Sequence, residues 1–154
     1  MVSAILHVVV ELRRVELVDV EVEDALARLI PQLSSSSEVP SRQELEALVS
    51  SDSSVLLAAR DGDGIVGLLT LVLVRMPTGV RARIEDVVVD ERARGRGVGE
   101  LLSREAIRMA AEAGAKTVDL TSRPGRLAAN QLYERLGFER RDTHVYRYNI
   151  EQRS

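Results

Sequence analysis

The 154-residue chain has no cysteine and no tryptophan, only two histidines, and aromatic residues amount to 3%. Without cysteine there is no disulfide framework, no thiolate nucleophile and no thiolate-held zinc or iron–sulfur site, a pattern that fits a reducing compartment. His7 and His144 stand too far apart for any short ligand spacing, so no metal is expected. So few aromatics cannot furnish stacking platforms for single-stranded nucleic acid. Neither sign of charge dominates: 21 Lys and Arg against 24 Asp and Glu leave a formal net charge of −3, which disfavours a general nucleic-acid binder. No Lys or Arg precedes Glu11, so the apolar start lacks the basic residues of a secretory signal. The longest apolar run, Gly64 to Val74, is about half of what a membrane-spanning helix needs. A cytoplasmic protein without a membrane partner is the expectation.

With 45% hydrophobic and 29% charged residues the composition is that of a globular chain, long enough for one well-filled core. Residues 1–7 read as a frayed leader, 8–150 as one domain and 151–154 as a tail. Val8 to Val15 reads as a strand, and Val18, Val22, Ala25, Leu26, Leu29, Ile30 and Leu33 fall at helical spacing. Ser41 with Glu44 is a capping-box pattern that opens a second helix carrying Leu45, Leu48 and Val49. Val55–Ala59, then Asp61-Gly62-Asp63-Gly64, then Ile65–Val74 spell a β-hairpin. Arg81–Asp90 follows as a strand with Val87, Val88 and Val89 apolar on both faces. A third helix starts near Gly97 and stops at Gly114; a strand begins at Lys116; a fourth helix spans Arg126–Leu136 and stops at Gly137. Phe138–Arg141 and Val145–Ile150 read as two final strands. The order β-α-α-β-β-β-α-β-α-β-β makes a mixed α+β domain.

The most informative stretch is Val87 to Gly99, VVVDERARGRGVG. A strand leads into an Arg- and Gly-rich turn and then into a helix, so unpaired amides and the positive helix end converge where an anion such as a phosphate is stabilised. Gly95, Gly97 and Gly99 allow backbone to approach such a group, and Arg92, Arg94 and Arg96 are candidate counter-charges. The P-loop pattern of a NTPase is absent. A dinucleotide-binding GxGxxG would need glycine where Glu100 stands, and no GxSxG nucleophile elbow exists.

The run Arg94-Gly95-Arg96-Gly97-Val98-Gly99 resembles the R/Q-x-x-G-x-G/A signature of the GNAT family of N-acetyltransferases. Ala128-Ala129-Asn130-Gln131-Leu132-Tyr133-Glu134-Arg135-Leu136-Gly137-Phe138 is similar to that family's later helix. The resemblance extends over the order of helices and strands from about Val8 to Ile150. It implies a central mixed seven-stranded sheet that parts between Arg81–Asp90 and Lys116–Ser122, with acetyl-CoA lying in the parting. It further implies that amides from Arg94 through Gly95, Arg96, Gly97 and Val98 to Gly99 hold the pyrophosphate, that the backbone of Val87, Val88 and Val89 pairs with the pantetheine arm, that Asn130 hydrogen-bonds that arm, and that Tyr133 sits beside the sulfur. A homodimer through the C-terminal strands is a further expectation from the family.

An alkylamine is mostly ammonium at neutral pH and must lose a proton before it attacks a thioester, so a general base is needed. Glu85 is the first candidate and Asp86 the reserve; strict alternation would put Glu85 on one face with Val87 and turn Asp86 to the other. A backbone N–H near Val87 or Val88 is placed to stabilise the oxyanion, and Tyr133 to hydrogen-bond the departing thiolate. The expected reaction is direct transfer of acetyl to a primary amine of a small molecule or peptide. The alternative is a non-catalytic acyl-CoA-binding sensor or interaction module, which would keep Arg94–Gly99 without needing Glu85 or Tyr133.

Overall fold

In the computed structural model, which describes residues 9–152, the periodicities resolve into β1 (Glu11–Arg14), α1 (Val20–Leu33), α2 (Arg42–Ser50), β2 (Ser54–Asp61), β3 (Gly64–Met76), β4 (Gly79–Val89), α3 (Val98–Glu112), β5 (Ala115–Asp119) and α4 (Leu127–Arg135). The leader expected over residues 1–7, Val8 of the first strand and the last two residues of the tail lie outside the described residues. The chain forms two compact units, Met1–Thr121 and Ser122–Ser154.

The first unit is built on a five-stranded sheet in the order β1-β2-β3-β4-β5, antiparallel throughout except for the parallel β4–β5 pair. Its hairpins follow from turn chemistry. Asp61 pairs with Gly64 across Gly62-Asp63, the Asp61 carboxylate accepts the Asp63 amide at 2.8 Å, and Gly64 takes a φ of +114° that a side chain would strain. Both helices before β2 are capped by side chains: Asp19 Oδ1 accepts the Val22 amide, and Ser41 and Glu44 complete the expected capping box.

The pleat divides the core between two faces of the sheet. Leu56, Ala58, Leu68 and Val88 look toward Val22, Ala25, Leu26 and Leu29 of α1 and Leu45 of α2. Gly67, one residue before Leu68, looks the other way, toward Val98 and Leu102 of α3. Leu29, Leu69, Leu71 and Leu102 have no exposed surface, and burial of each contributes about 2–3 kcal/mol.

In the second unit, α4 ends in a Schellman motif: Gly137 turns left-handed at φ +96°, and the Phe138 amide donates to the Tyr133 carbonyl at 2.9 Å. The Phe138 ring then meets the Tyr133 ring edge-on, centroids 5.8 Å apart. The two strands expected at Phe138–Arg141 and Val145–Ile150 are not formed, so the described sheet has five strands where seven were expected. The alternation of Val145, Tyr146, Arg147 and Tyr148 suits a strand, but a strand needs a ladder partner for its amides and carbonyls, and none of the described residues pairs with this segment. Val145, Tyr146, Tyr148 and Ile150 are all exposed.

Candidate functional site

β4 carries the first of the candidate residues, and its register against β3 decides where they face. Glu85 pairs with Thr70 and Val88 with Leu68, so Asp86 and Val87 together oppose Leu69. This is a β-bulge, and Asp86 makes it by adopting φ +51°, the one positive φ outside glycine among the described residues. The bulge resets the alternation: Glu85 shares a face with Val88, not with Val87 as strict alternation predicted. Glu85 is half-buried and its Oε1 accepts from Arg83 Nε at 3.0 Å, two residues back on the same face. Asp86 is exposed.

Beyond this point β4 loses one neighbour. Pairing with β5 runs from Val80 to Arg83 and stops where β5 ends, at Asp119. β4 continues to Val89 with β3 on one side, and along its other edge from Ile84 to Val89 no strand among the described residues pairs with it. Such an edge offers amides and carbonyls to any extended, amide-bearing chain laid along it. The expected fifth strand thus stops at Asp119, three residues short of Ser122, and its pairing with β4 ends at Arg83.

The strand then delivers the chain into the Arg- and Gly-rich turn. Asp90, fully buried, donates its amide to the Val66 carbonyl at 2.8 Å and caps the short 3-10 turn Glu91–Ala93. Its carboxylate accepts from Arg28 Nε at 2.9 Å and Arg92 Nη2 at 3.0 Å, while Arg28 also donates to the Ile65 carbonyl. The Arg92 guanidinium foremost, then the Arg92 amide and Arg28, hold the Asp90 carboxyl well below the ordinary carboxylate range against the opposing effect of burial. Gly95 and Gly97 both take φ +78° with open space around them, so the dihedral rather than any contact requires glycine there. Gly97 is the N-cap of α3 and provides no side-chain acceptor, leaving the first-turn amides of Val98 and Gly99 without a cap or an intrahelical partner. An uncapped helix start beside left-handed glycines is a concave set of donors suited to a phosphate.

The arginines of this turn are differently disposed. Arg92 is paired with Asp90; Arg96 Nη1 and Nη2 both donate to Asp61 Oδ2 at 3.1 Å; Arg94 Nε reaches the Val89 carbonyl at 3.4 Å. Two of the three candidate counter-charges are thus engaged by buried carboxylates of the protein. Sequence reasoning did not find Arg28, Asp61 or Asp90 as supports of the turn, since Arg28 and Asp61 reach their partners across 62 and 35 residues.

In the second unit, Asn130 and Tyr133 both lie on α4. Asn130 Nδ2 donates to the carbonyls of Arg123 at 3.0 Å and Pro124 at 3.4 Å, tying down the loop before the helix. Tyr133 is buried, and burial pushes its phenol above the ordinary value although the nearby Arg126 charge acts in the opposite sense. Among the described residues no group of His, Asp or Glu is arranged to hold a metal, and no helix is long and apolar enough to cross a membrane.

Residues 16–138 match the model of the acetyltransferase (GNAT) family. No curated protein matches the sequence. Among solved structures, a transcriptional regulator from Bacillus halodurans C-125 is similar at 25% identity with a TM-score of 0.77, over 92% of this chain and 100% of that one. Glucosamine-6-phosphate N-acetyltransferase from Arabidopsis thaliana is similar at 19% identity with a TM-score of 0.74, over 91% and 98%. The aminoglycoside N-acetyltransferase AAC(6')-Iy, solved in complex with CoA, is similar at 15% identity with a TM-score of 0.75, over 93% and 96%.

Proposed function

The chain belongs to the acetyltransferase (GNAT) family, and from that premise we propose that it transfers acetyl from acetyl-CoA directly to a primary amine of a small molecule or peptide. One observation carries this reading. The β4 edge left without a neighbour from Ile84 to Val89 runs into a turn that ends at the uncapped start of α3. Acetyl-CoA combines a polyamide arm with a pyrophosphate, and the two features fit the two parts.

When bound, acetyl-CoA supplies an acetyl group activated as a thioester. The chain's own residues do the rest. The amides of Arg94, Gly95, Arg96, Gly97, Val98 and Gly99 bind the pyrophosphate, and the β4 backbone at Val87, Val88 and Val89 orients the arm. A backbone N–H at Val87 or Val88 would face the oxygen that gains charge as the amine adds. Glu85 or Asp86, directly or through water, takes the ammonium proton. Asn130, whose Nδ2 donates to the Arg123 and Pro124 carbonyls, would hold the arm by accepting at its Oδ1. The Tyr133 phenol, protonated at neutral pH as any phenol is and pushed further up by burial, would donate a hydrogen bond to the departing sulfur. Complete proton transfer from even an unperturbed phenol to a thiolate is uphill by about 2 kcal/mol, so hydrogen bonding is the role that fits.

Titration calorimetry with acetyl-CoA and a thiol-release assay across amino sugars, amino acids, polyamines, aminoglycosides and peptide N-termini test the reading together. Binding with acetylation of at least one class is the expected result. No binding at millimolar acetyl-CoA would overturn it. Binding with every amine untouched would replace it with the non-catalytic acyl-CoA-binding module.

A further inference from the structure

Gly67 is the one glycine of the sheet interior whose missing side chain is a matter of space. A Cβ built there would stand 2.9 Å from Val98 Cγ1, 3.1 Å from Leu102 Cδ1 and 3.4 Å from the Val88 carbonyl oxygen. Its φ is not positive, so alanine is allowed by the backbone and only the contact forbids it. Val98 is the first residue of α3, buried at 1% exposure between Gly97 and Gly99, and a β-branched side chain on a helix has little freedom to swing away.

The turn cannot yield as a unit, because two other bonds fasten it to β2 and β3. The Asp90 amide is held by Val66, the residue before Gly67, and Arg96 is held by Asp61 at the end of β2. A methyl at position 67 would therefore push the start of α3 outward while Asp90 and Arg96 stayed anchored, tilting the Val98 and Gly99 amides out of line. Restoring an ordinary carbon contact from 2.9 Å requires a shift of roughly 0.7–1 Å.

We propose that Gly67 is a positioning residue for coenzyme binding: it sets the height at which Val98 seats on the sheet and so aims the amides of the turn. This rests on the reading given under Proposed function. The test is calorimetry with coenzyme A on the full chain and on Gly67→Ala, Val98→Ala and the double variant, with steady-state kinetics and melting curves beside it. Gly67→Ala is expected to bind roughly tenfold more weakly, with the KM for acetyl-CoA rising in step while kcat at saturation stays within about twofold. In the double variant the added methyl occupies space that Val98 vacates, and affinity is expected to return to within about threefold of Val98→Ala. Native affinity in Gly67→Ala, or a double variant as weak as Gly67→Ala, overturns the assignment. Should Gly67→Ala fail to fold, Val98→Ile adds bulk from the helix side of the same contact; weakened coenzyme A binding is expected and native affinity overturns the assignment. A native chain that does not bind coenzyme A would instead defeat the acetyltransferase reading itself.

Discussion

Replacing Asp90 with Asn removes a charge at the point where α1, β3 and the turn after β4 are tied together. The carboxylate is 1% exposed, whereas Arg28 is 37% and Arg92 63% exposed, so both guanidiniums regain water when it is lost. Arg92 is too exposed for its pair to be counted toward stability. The shorter bond from Arg28, partly screened, contributes about 1.5–2 kcal/mol as a charge-assisted hydrogen bond. That loss corresponds to a fall in Tm of roughly 3–8 °C for a chain of this size. Acidity provides the control. The carboxyl ionises in the folded chain well below its ordinary value of 3.8, so its stabilisation is complete above that value and is lost as pH falls toward the folded one. From pH 7 to pH 3 the unfolded chain takes up a proton that the folded chain does not, and the advantage of Asp90 over Asn should shrink by about 1 kcal/mol. Denaturant titrations followed by circular dichroism at both pH values measure this. Equal stabilities at neutral pH, or a gap that does not narrow in acid, would refute the reasoning.

Gly97→Ala forces a left-handed φ of +78° on a residue with a Cβ, a strain of about 1–2 kcal/mol that the turn would relieve by rotating its amides. Coenzyme A binding at least about tenfold weaker, with the far-ultraviolet spectrum unchanged, is the expected outcome; since nothing surrounds that Cβ, retained affinity would show that the turn does not hold the phosphate. Tyr133→Phe should lower kcat by about 100-fold on a chemistry-limited amine without altering the Kd for acetyl-CoA, and unchanged kcat removes the phenol from the mechanism. Because burial pushes that phenol above 10.0, any alkaline loss of activity that disappears in Tyr133→Phe should have its midpoint above pH 10.

Elements whose cause is local were legible in the residues themselves. The Ser41–Glu44 capping box, the Asp-Gly hairpin and the glycine stops at Gly114 and Gly137 depend on side chains within a few positions of each other, and all are formed. The Gly-rich turn was legible for the same reason. The bulge was not, because the alternation that holds through Arg83 gives way to Glu85-Asp86 and then three valines, a run that reads equally as a strand buried on both faces, and only pairing with Leu68 and Thr70 shows the extra residue. Nor were the anchors of the turn: Arg28 sits on a helix where an arginine is ordinarily a solvated face, and its partner is 62 residues away. The two C-terminal strands failed for the converse reason. Their alternation is real, but strand formation is decided by a partner, and residue pattern carries no information about whether one is in place.

The extra residue in β4 separates the length of that strand from its phase. Asp86 and Val87 share one partner, so a deletion of Asp86 would leave Glu85 opposite Thr70 and Val88 opposite Leu68, and only the left-handed kink between them would disappear. A further residue inserted there would have to be taken up by a larger kink, or every position up to Asp90 would change sides. Shortening β4 at this one point would therefore spare the inward and outward positions on either side of it, and what the extra residue contributes is a local bend and added twist.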